Sequence, residues 1–315
     1  MNDLRLVVSP WPHVHSENSV AGIMRDVLIA LAPAFLFGIF IFGLDVVRVA
    51  LIAVVSAVAW EAATQKLTSR ELTYTDLSAA TSGLILAMIL PPTIPWWTIL
   101  IGTLIMVILG KEVYGGFGSN PFNPVLVAWV VLQMSFPDYM SQWIVPGDNP
   151  AVTAAPMEVL KEQGPSFAAQ YFSYADLFLG RTAGFIGQVS SLMLLIGGIY
   201  LLWRKTINWR IPLSYLLGVF VFTGLFWLLG DGPYADPLFH LFAGGTMIGA
   251  FFLATDLPSS PVTPQGMILF GLAAGILTAI LRMWGAWAFG AYYAILILSL
   301  ATPFLDKIAP EVYGR

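Results

Sequence analysis

The string Gly115-Gly116-Phe117-Gly118-Ser119-Asn120-Pro121-Phe122-Asn123-Pro124 holds two carboxamides three residues apart at the mouth of an apolar run. An amide pair offers donors and acceptors together, the pattern needed to read a planar heterocycle. The glycines permit close backbone approach, and the prolines stop helices on either side. The competing reading is a tight turn in which Asn caps the next helix, and spacing alone prefers it. Upstream, Ser78-Ala79-Ala80-Thr81-Ser82-Gly83 carries hydroxyls that can line a pocket or bond back to helix carbonyls while small neighbours let helices pack closely. Downstream, Ala254-Thr255-Asp256-Leu257-Pro258 puts an acid at the end of an apolar run, able to hold a cation or a ligand hydroxyl, or simply to open a turn before proline.

Further ionisable groups inside apolar runs include Glu61 and His240. Intramembrane carboxylates are costly and often mark ion paths; Glu61, five residues before Lys66, can also reach the interface. His13 and His15 lie in the N-terminal segment, so a haem held by two span histidines is not expected. Cysteine is absent, which removes disulfides, thiolate-bound iron–sulfur clusters and cysteine nucleophiles from this chain. No metal site is expected.

The elements that must position these groups are apolar. Of 315 residues 58% are hydrophobic and 10% charged, against about 25% charged in soluble domains. The runs do not alternate as barrel strands do, so the chain is predicted to be an all-α polytopic membrane protein. Spans are predicted near 24–43, 46–65, 76–91, 94–110 and 122–137, then 184–203, 211–229, 237–254, 265–283 and 287–305. The third is short and interrupted by Pro91–Pro92. These spans divide the chain into a first five-helix unit (1–137), an outer loop (138–183) and a second unit (184–315).

With the N-terminus inside, Arg5, Arg25, Lys66, Arg70, Lys111, Arg204, Lys205, Arg210, Lys307 and Arg315 are cytoplasmic, against Arg48, Lys161, Arg181 and Arg282 outside. The positive-inside rule therefore places both termini in the cytoplasm. No cleavable signal peptide is expected. No basic patch suggests nucleic acid; the contacts implied are with membrane lipid. An odd number of spans per unit makes homologous halves inverted. Gly83-Leu-Ile-Leu-Ala-Met-Ile-Leu-Pro-Pro is weakly similar to Gly245-Thr-Met-Ile-Gly-Ala-Phe-Phe-Leu-Ala, a match that apolar segments also produce by chance.

Taken together, several strings resemble one family. They include Ser9-Pro10 with His13 and His15, Gly110-Lys111 through Asn123-Pro124, Ser135-Phe136-Pro137, Gly184-Phe-Ile-Gly-Gln-Val-Ser-Ser, Ala254-Thr-Asp through Pro264, and Thr302-Pro-Phe-Leu-Asp. The chain resembles the D subunits of the Rnf/Rsx ion-translocating ferredoxin:NAD oxidoreductase complexes, which are similar to the B subunits of the sodium-translocating NADH:quinone reductases. The resemblance implies about ten transmembrane helices in two inverted five-helix repeats, similar to urea transporters. It implies a flavoprotein component of a bacterial inner-membrane translocase, not catalytic alone, that relays electrons between ferredoxin and NAD and is coupled to Na⁺ or H⁺ movement. Iron–sulfur and flavin subunits of the complex are the implied partners.

The cofactors implied are a non-covalent riboflavin or FMN near the inner face and an FMN esterified to a threonine in the outer loop. The family's Gly-x-Asn-x-Phe-Asn-Pro signature falls on Asn120 and Asn123, and its pocket hydroxyl falls on Ser82, so the resemblance reverses the preference for a mere cap. The acceptor threonine precedes a proline in the family, and alignment on Pro156 puts Ala155 there. Thr153 is the one nearby hydroxyl, two positions out of register, so covalent FMN is not expected unless Thr153 has taken the role. Asp256 and Glu61 are the candidates for ion contact. The competing function is a urea-type or other small-solute channel or transporter that binds no flavin.

Overall fold

The computed structural model describes residues 19–144, 154–188, 190–230, 234–285 and 288–308. Among these, every regular element is helical. The first is α1 (Val20–Phe42), whose N-cap Ser19 accepts a 3.1 Å bond from the Gly22 amide. After it come α2 (Asp45–Leu67) and α3 (Ser78–Met88). Helix α4 (Trp96–Leu104) continues into a π-helical turn, Ile105–Leu109. Helix α5 (Pro124–Ser135) and the single turn α6 (Pro137–Met140) lead to a helical cap made of α7 (Pro156–Gln163), α8 (Pro165–Tyr171) and α9 (Tyr174–Leu179).

The second part holds α10 (Ser191–Trp203), α11 (Arg210–Leu229) and α12 (Pro237–Phe242). Next, α13 (Thr246–Ile248) runs into a second π-helical turn, Gly249–Leu253. Helices α14 (Pro264–Met283), α15 (Gly290–Ser299) and α16 (Thr302–Leu305) complete the described chain. Among the described residues, five helical stretches are long and apolar enough to cross a membrane: Val20–Phe42, Asp45–Leu67, Trp96–Tyr114, Arg210–Leu229 and Pro264–Met283.

Three predicted spans are not continuous helices. Residues 184–188 are non-helical, and α10 begins only at Ser191. The reason is a backbone exchange. The amides of Ile186 and Gly187 donate to the carbonyls of Leu90 and Met88, at the point where α3 has ended before Pro91–Pro92 and those carbonyls lack helical partners. The predicted span at 237–254 is likewise interrupted at 243–245, where Arg282 donates to the carbonyls of His240, Ala243 and Gly244. The last predicted span, 287–305, divides between α15 and α16.

Small residues bring the helices together. A Cβ on Gly83 would lie 2.8 Å from the Ala53 carbonyl, so α3 rests directly on the backbone of α2. Helices α11 and α14 approach as closely along Gly218, Gly271 and Gly275. At the centre Trp129 of α5 is fully buried among Tyr292 (4.5 Å between ring centroids), Tyr293 (5.5 Å) and Phe185 (6.0 Å). This aromatic knot joins both parts of the chain.

Hydrogen bonds sort the helix ends onto two faces. Arg204 reaches Asp26, Arg70 reaches Glu112, Lys111 reaches Glu61 and Ser78, and Asp306 accepts from Val262 and Thr263. These contacts gather the starts of α1, α3, α11 and α14 on one side, hereafter the basic face. The cap α7–α9 covers the opposite face.

Candidate functional site

The basic face carries a cleft between α1, α3, the α10–α11 hairpin and the second π turn. Its walls include Thr81, Ser82, Phe117, Thr206, Phe252 and Asp256. Ser82 and Asp256, separated by most of the chain, therefore share one enclosed space. Thr81 is buried and directs its hydroxyl toward the Met24 carbonyl at 3.5 Å. Asp256 is part-buried in the loop after the π turn and accepts 2.8 Å from the Ser259 hydroxyl. Burial pushes its carboxyl up to about 6, against the opposing pull of the Ser259 bonds.

Asn120 and Asn123 are both buried, and neither is among the residues that line this cleft. Asn123 is the N-cap of α5: its Oδ1 accepts from the amides of Val125 (2.9 Å) and Leu126 (3.4 Å). Its Nδ2 donates 3.1 Å to the Leu253 carbonyl, three residues before Asp256. The capping reading thus describes Asn123. Asn120 differs. Its Nδ2 donates 2.8 Å to the Phe122 carbonyl, while its buried Oδ1 has no partner among the described residues. A buried acceptor left unpaired costs about 1–3 kcal/mol, which a ligand donor would recover.

The cleft offers about 50 Å³ to water-sized molecules. That is room for a few waters and too narrow for a tricyclic ring. Phe117 forms part of its rim between Gly116 (φ +104°) and Gly118 (φ +96°). These glycines hold conformations that other residues rarely adopt, so the path of the loop that carries the phenyl ring depends on them.

Glu61 lies elsewhere. It is fully buried and paired with Lys111, not extended toward Lys66 as the spacing in the sequence allowed. The Lys111 ammonium also donates 2.6 Å to the Ser78 hydroxyl, and Ser78 in turn bonds Asp76 at 2.6 Å. Glu61 Oε2 has no partner among the described residues. Beside this pair, Glu112 accepts from Gln65 (3.3 Å) and Arg70 (3.4 Å). Each π turn ends two or three residues before an ionisable group, Lys111 in one case and Asp256 in the other. Phe117, Thr206 and Lys111 do not stand out as site residues in the sequence; the glycines flanking Phe117 are the available signal.

On the opposite face a second cavity of about 380 Å³ lies between Trp129, Gln133, Glu158, Lys161 and Phe289. Burial raises the Glu158 carboxyl, against the pull of a 2.6 Å bond from the Trp143 indole. Lys161 is lowered by burial and by the nearby Arg282 charge, and donates to the Gly285 carbonyl. Ala155, aligned with the expected acceptor of covalent FMN, is the N-cap of α7. It brings no side-chain oxygen, and Glu158 satisfies its amide at 3.3 Å. Thr153, the alternative acceptor considered from the sequence, lies outside the described residues. His240 is buried with its carbonyl held by Arg282. No group of three or more His, Asp or Glu suited to a metal occurs among the described residues.

A sequence model described as the NQR2, RnfD, RnfE family matches residues 7–314. The chain belongs to that family. Among its relatives is the Acetobacterium woodii protein named as the D subunit of a Na(+)-translocating ferredoxin:NAD(+) oxidoreductase complex. It is 40% identical over 318 residues, covering 100% of this chain and 97% of the relative. The Clostridium ljungdahlii protein named as the D subunit of a proton-translocating ferredoxin:NAD(+) oxidoreductase complex is 39% identical, covering 97% of this chain and 95% of the relative. The D subunit of an ion-translocating oxidoreductase complex from Yersinia pseudotuberculosis is 33% identical, with 98% of each chain covered. Membership in this family is in keeping with the membrane-length helices. The Gly118–Pro124 string starts one residue beyond Phe117 on the cleft rim and ends at the first residue of α5.

Proposed function

We propose that this chain is the membrane-embedded D subunit of an ion-translocating ferredoxin:NAD oxidoreductase complex and binds riboflavin or FMN non-covalently at the basic-face cleft. The observation carrying this reading is the buried, unpartnered Oδ1 of Asn120, three residues along the chain from Phe117, which lines a cleft that also holds hydroxyls and a carboxylate. The end-to-end similarity to relatives named for such complexes supports it.

A flavin, when bound, supplies one- and two-electron transfer that no side chain here can perform. The chain's own part is to hold and orient it. Ser82 and Thr81 would offer hydroxyls as donors or acceptors, the Asn120 carbonyl and Asp256 would accept from N–H or O–H groups, and Phe117 would offer its ring for packing. The narrow cleft requires Phe117 to swing outward for entry. Asn123 holds the α5 terminus against the π turn that precedes Asp256.

In this reading the basic face is cytoplasmic, in a bacterial inner membrane, and iron–sulfur and flavin subunits dock around it. The shorter apolar helices α3, α5, α10 and α15, with the interrupted α12–α13 segment, complete about ten crossings in two inverted five-helix repeats. Glu61 and Asp256 are the candidates for ion contact, and relatives named for sodium and for protons at nearly equal identity leave either ion open. Ala155 has no hydroxyl to esterify, so we propose that no covalent FMN forms at that position.

The test is flavin fluorescence of the chain on a denaturing gel, beside chromatography of flavin released by acid from the native complex. A dark band with released flavin, lost in Asn120→Leu, is the expected result. A fluorescent band that disappears in Thr153→Ala would show a covalent flavin on a shifted acceptor. A dark band with nothing released would overturn the flavin reading and favour a small-solute channel.

A further inference from the structure

The cap on the face opposite the flavin cleft encloses a separate cavity of about 380 Å³, formed where α8 and α9 meet the end of α11 and the start of α12. Phe172, Tyr174, Trp227, Tyr234 and Phe239 supply rings to its wall, and Asp236 is the one acid among the described residues that line it. No Lys, Arg or His is among those residues. Among the described residues, Asp236 also takes part in no ion pair.

The carboxylate is held in place from three directions. Oδ1 accepts from the amides of Leu238 (2.8 Å) and Phe239 (3.1 Å), making Asp236 the N-cap of α12. Oδ2 accepts from the Tyr174 hydroxyl, and that bond to the carboxylate, with burial second, pushes the Tyr174 phenol up to about 12. An anion fixed in an aromatic-walled cavity with no cation of its own is the arrangement that binds organic ammonium groups, through the negative ring faces and the charge together. Location narrows the source. Trp227 is half exposed near the end of α11, a helix long enough to span, and Leu228 and Leu229 beyond it are largely exposed. That is the level at which interfacial aromatics meet lipid headgroups.

We propose that this cavity binds an organic ammonium group, delivered by the headgroup of an aminophospholipid. The site is independent of the flavin reading, sharing none of its residues.

The test uses the full chain in nanodiscs holding equal amounts of phosphatidylethanolamine and phosphatidylglycerol, followed by native mass spectrometry of the lipids it retains. Wild type is expected to retain the ethanolamine lipid over the glycerol lipid by about fivefold. Asp236→Asn removes the charge yet keeps a good N-cap, so it should fold with unchanged helicity and lose the preference. Trp227→Ala should lower it, and Tyr174→Phe should keep it, since that change frees an oxygen of the carboxylate. A second arm uses phosphatidylglycerol nanodiscs with added ethanolamine or tetramethylammonium and reads the thermal midpoint. A rise in wild type that is absent in Asp236→Asn, without lipid preference, would keep the ammonium site and replace the lipid by a free amine. Equal retention of both lipids with no response to either amine would overturn the proposal, as would a preference that persists in Asp236→Asn.

Discussion

Asn123 and Leu253 are 130 residues apart and joined by a 3.1 Å bond from the Asn123 Nδ2 to the Leu253 carbonyl. The same side chain caps α5 through its other atom, so one amide starts a helix and ties it to the π turn preceding Asp256. These two duties can be separated by mutation. Asn123→Asp keeps the cap and removes the Nδ2 donor, whereas Asn123→Ala removes both. The alanine variant should lose about 1 kcal/mol for the cap and about 1 kcal/mol for the second bond. The aspartate variant should show mainly the second loss. Thermal unfolding of the full chain in detergent, with flavin retention measured alongside, checks the order; an aspartate variant as stable as wild type would mean that the tie to Leu253 contributes nothing, and equal losses that the cap does not.

Gly83 marks the contact between α3 and α2. Adding a methyl group there places carbon 2.8 Å from the Ala53 carbonyl and 3.1 Å from the Val54 Cα, both backbone atoms that cannot turn aside. Gly83→Ala should therefore destabilise the chain by about 1–3 kcal/mol by overpacking. It should also disturb Ser82 next to it. Gly116→Ala, where no neighbour lies within 4 Å, should instead act through backbone strain at φ +104° and on the Phe117 loop alone. Comparing unfolding midpoints with flavin release rates distinguishes the two effects.

The buried Glu61–Lys111 pair should behave asymmetrically. Lys111→Met leaves Glu61 buried beside Ser78 without its cation and should cost about 3–5 kcal/mol. The double variant Glu61→Gln with Lys111→Met removes the orphaned charge and should recover much of that loss. Ion movement in reconstituted complex supplies the functional readout. If the folded Glu61→Gln and Asp256→Asn complexes each pump at the wild-type rate, neither residue contacts the translocated ion.

Asp256 gives a pH signature. Its carboxyl titrates near 6 in the folded chain, above its ordinary value of 3.8, because burial favours the neutral form. The stabilising contribution of that raised value is fully present below about pH 4 and declines as pH rises to about 6. Above that range it is gone. Asp256→Asn should flatten the stability profile in this window and be more stable than wild type at neutral pH. A parallel pair of profiles would remove Asp256 from the account.

Much of the architecture was legible because it rests on short-range physics. Apolar run lengths marked α1, α2, α11 and α14 within a few residues. The Pro91–Pro92 pair announced an interruption that α3 meets at Met88, and Asn123 before Pro124 announced a helix start. The small residues of 78–83 marked a close helix contact. Each of these is decided by a residue and its near neighbours: a side-chain oxygen facing two free amides, a ring lacking its N–H, a missing Cβ.

Composition and run length by themselves determined an all-helical membrane protein, and its ordered motifs pointed to its family. Only tertiary structure decided that residues 184–188 leave the helix to satisfy the free carbonyls of Met88 and Leu90. It also decided that Glu61 takes its cation from Lys111, 50 positions away, rather than from Lys66. The meeting of Ser82 with Asp256, and the difference between a saturated Asn123 and an unsatisfied Asn120, belong to the same category. Buried polar groups must find partners wherever packing brings them. That choice depends on which helices touch, and no local pattern carries it.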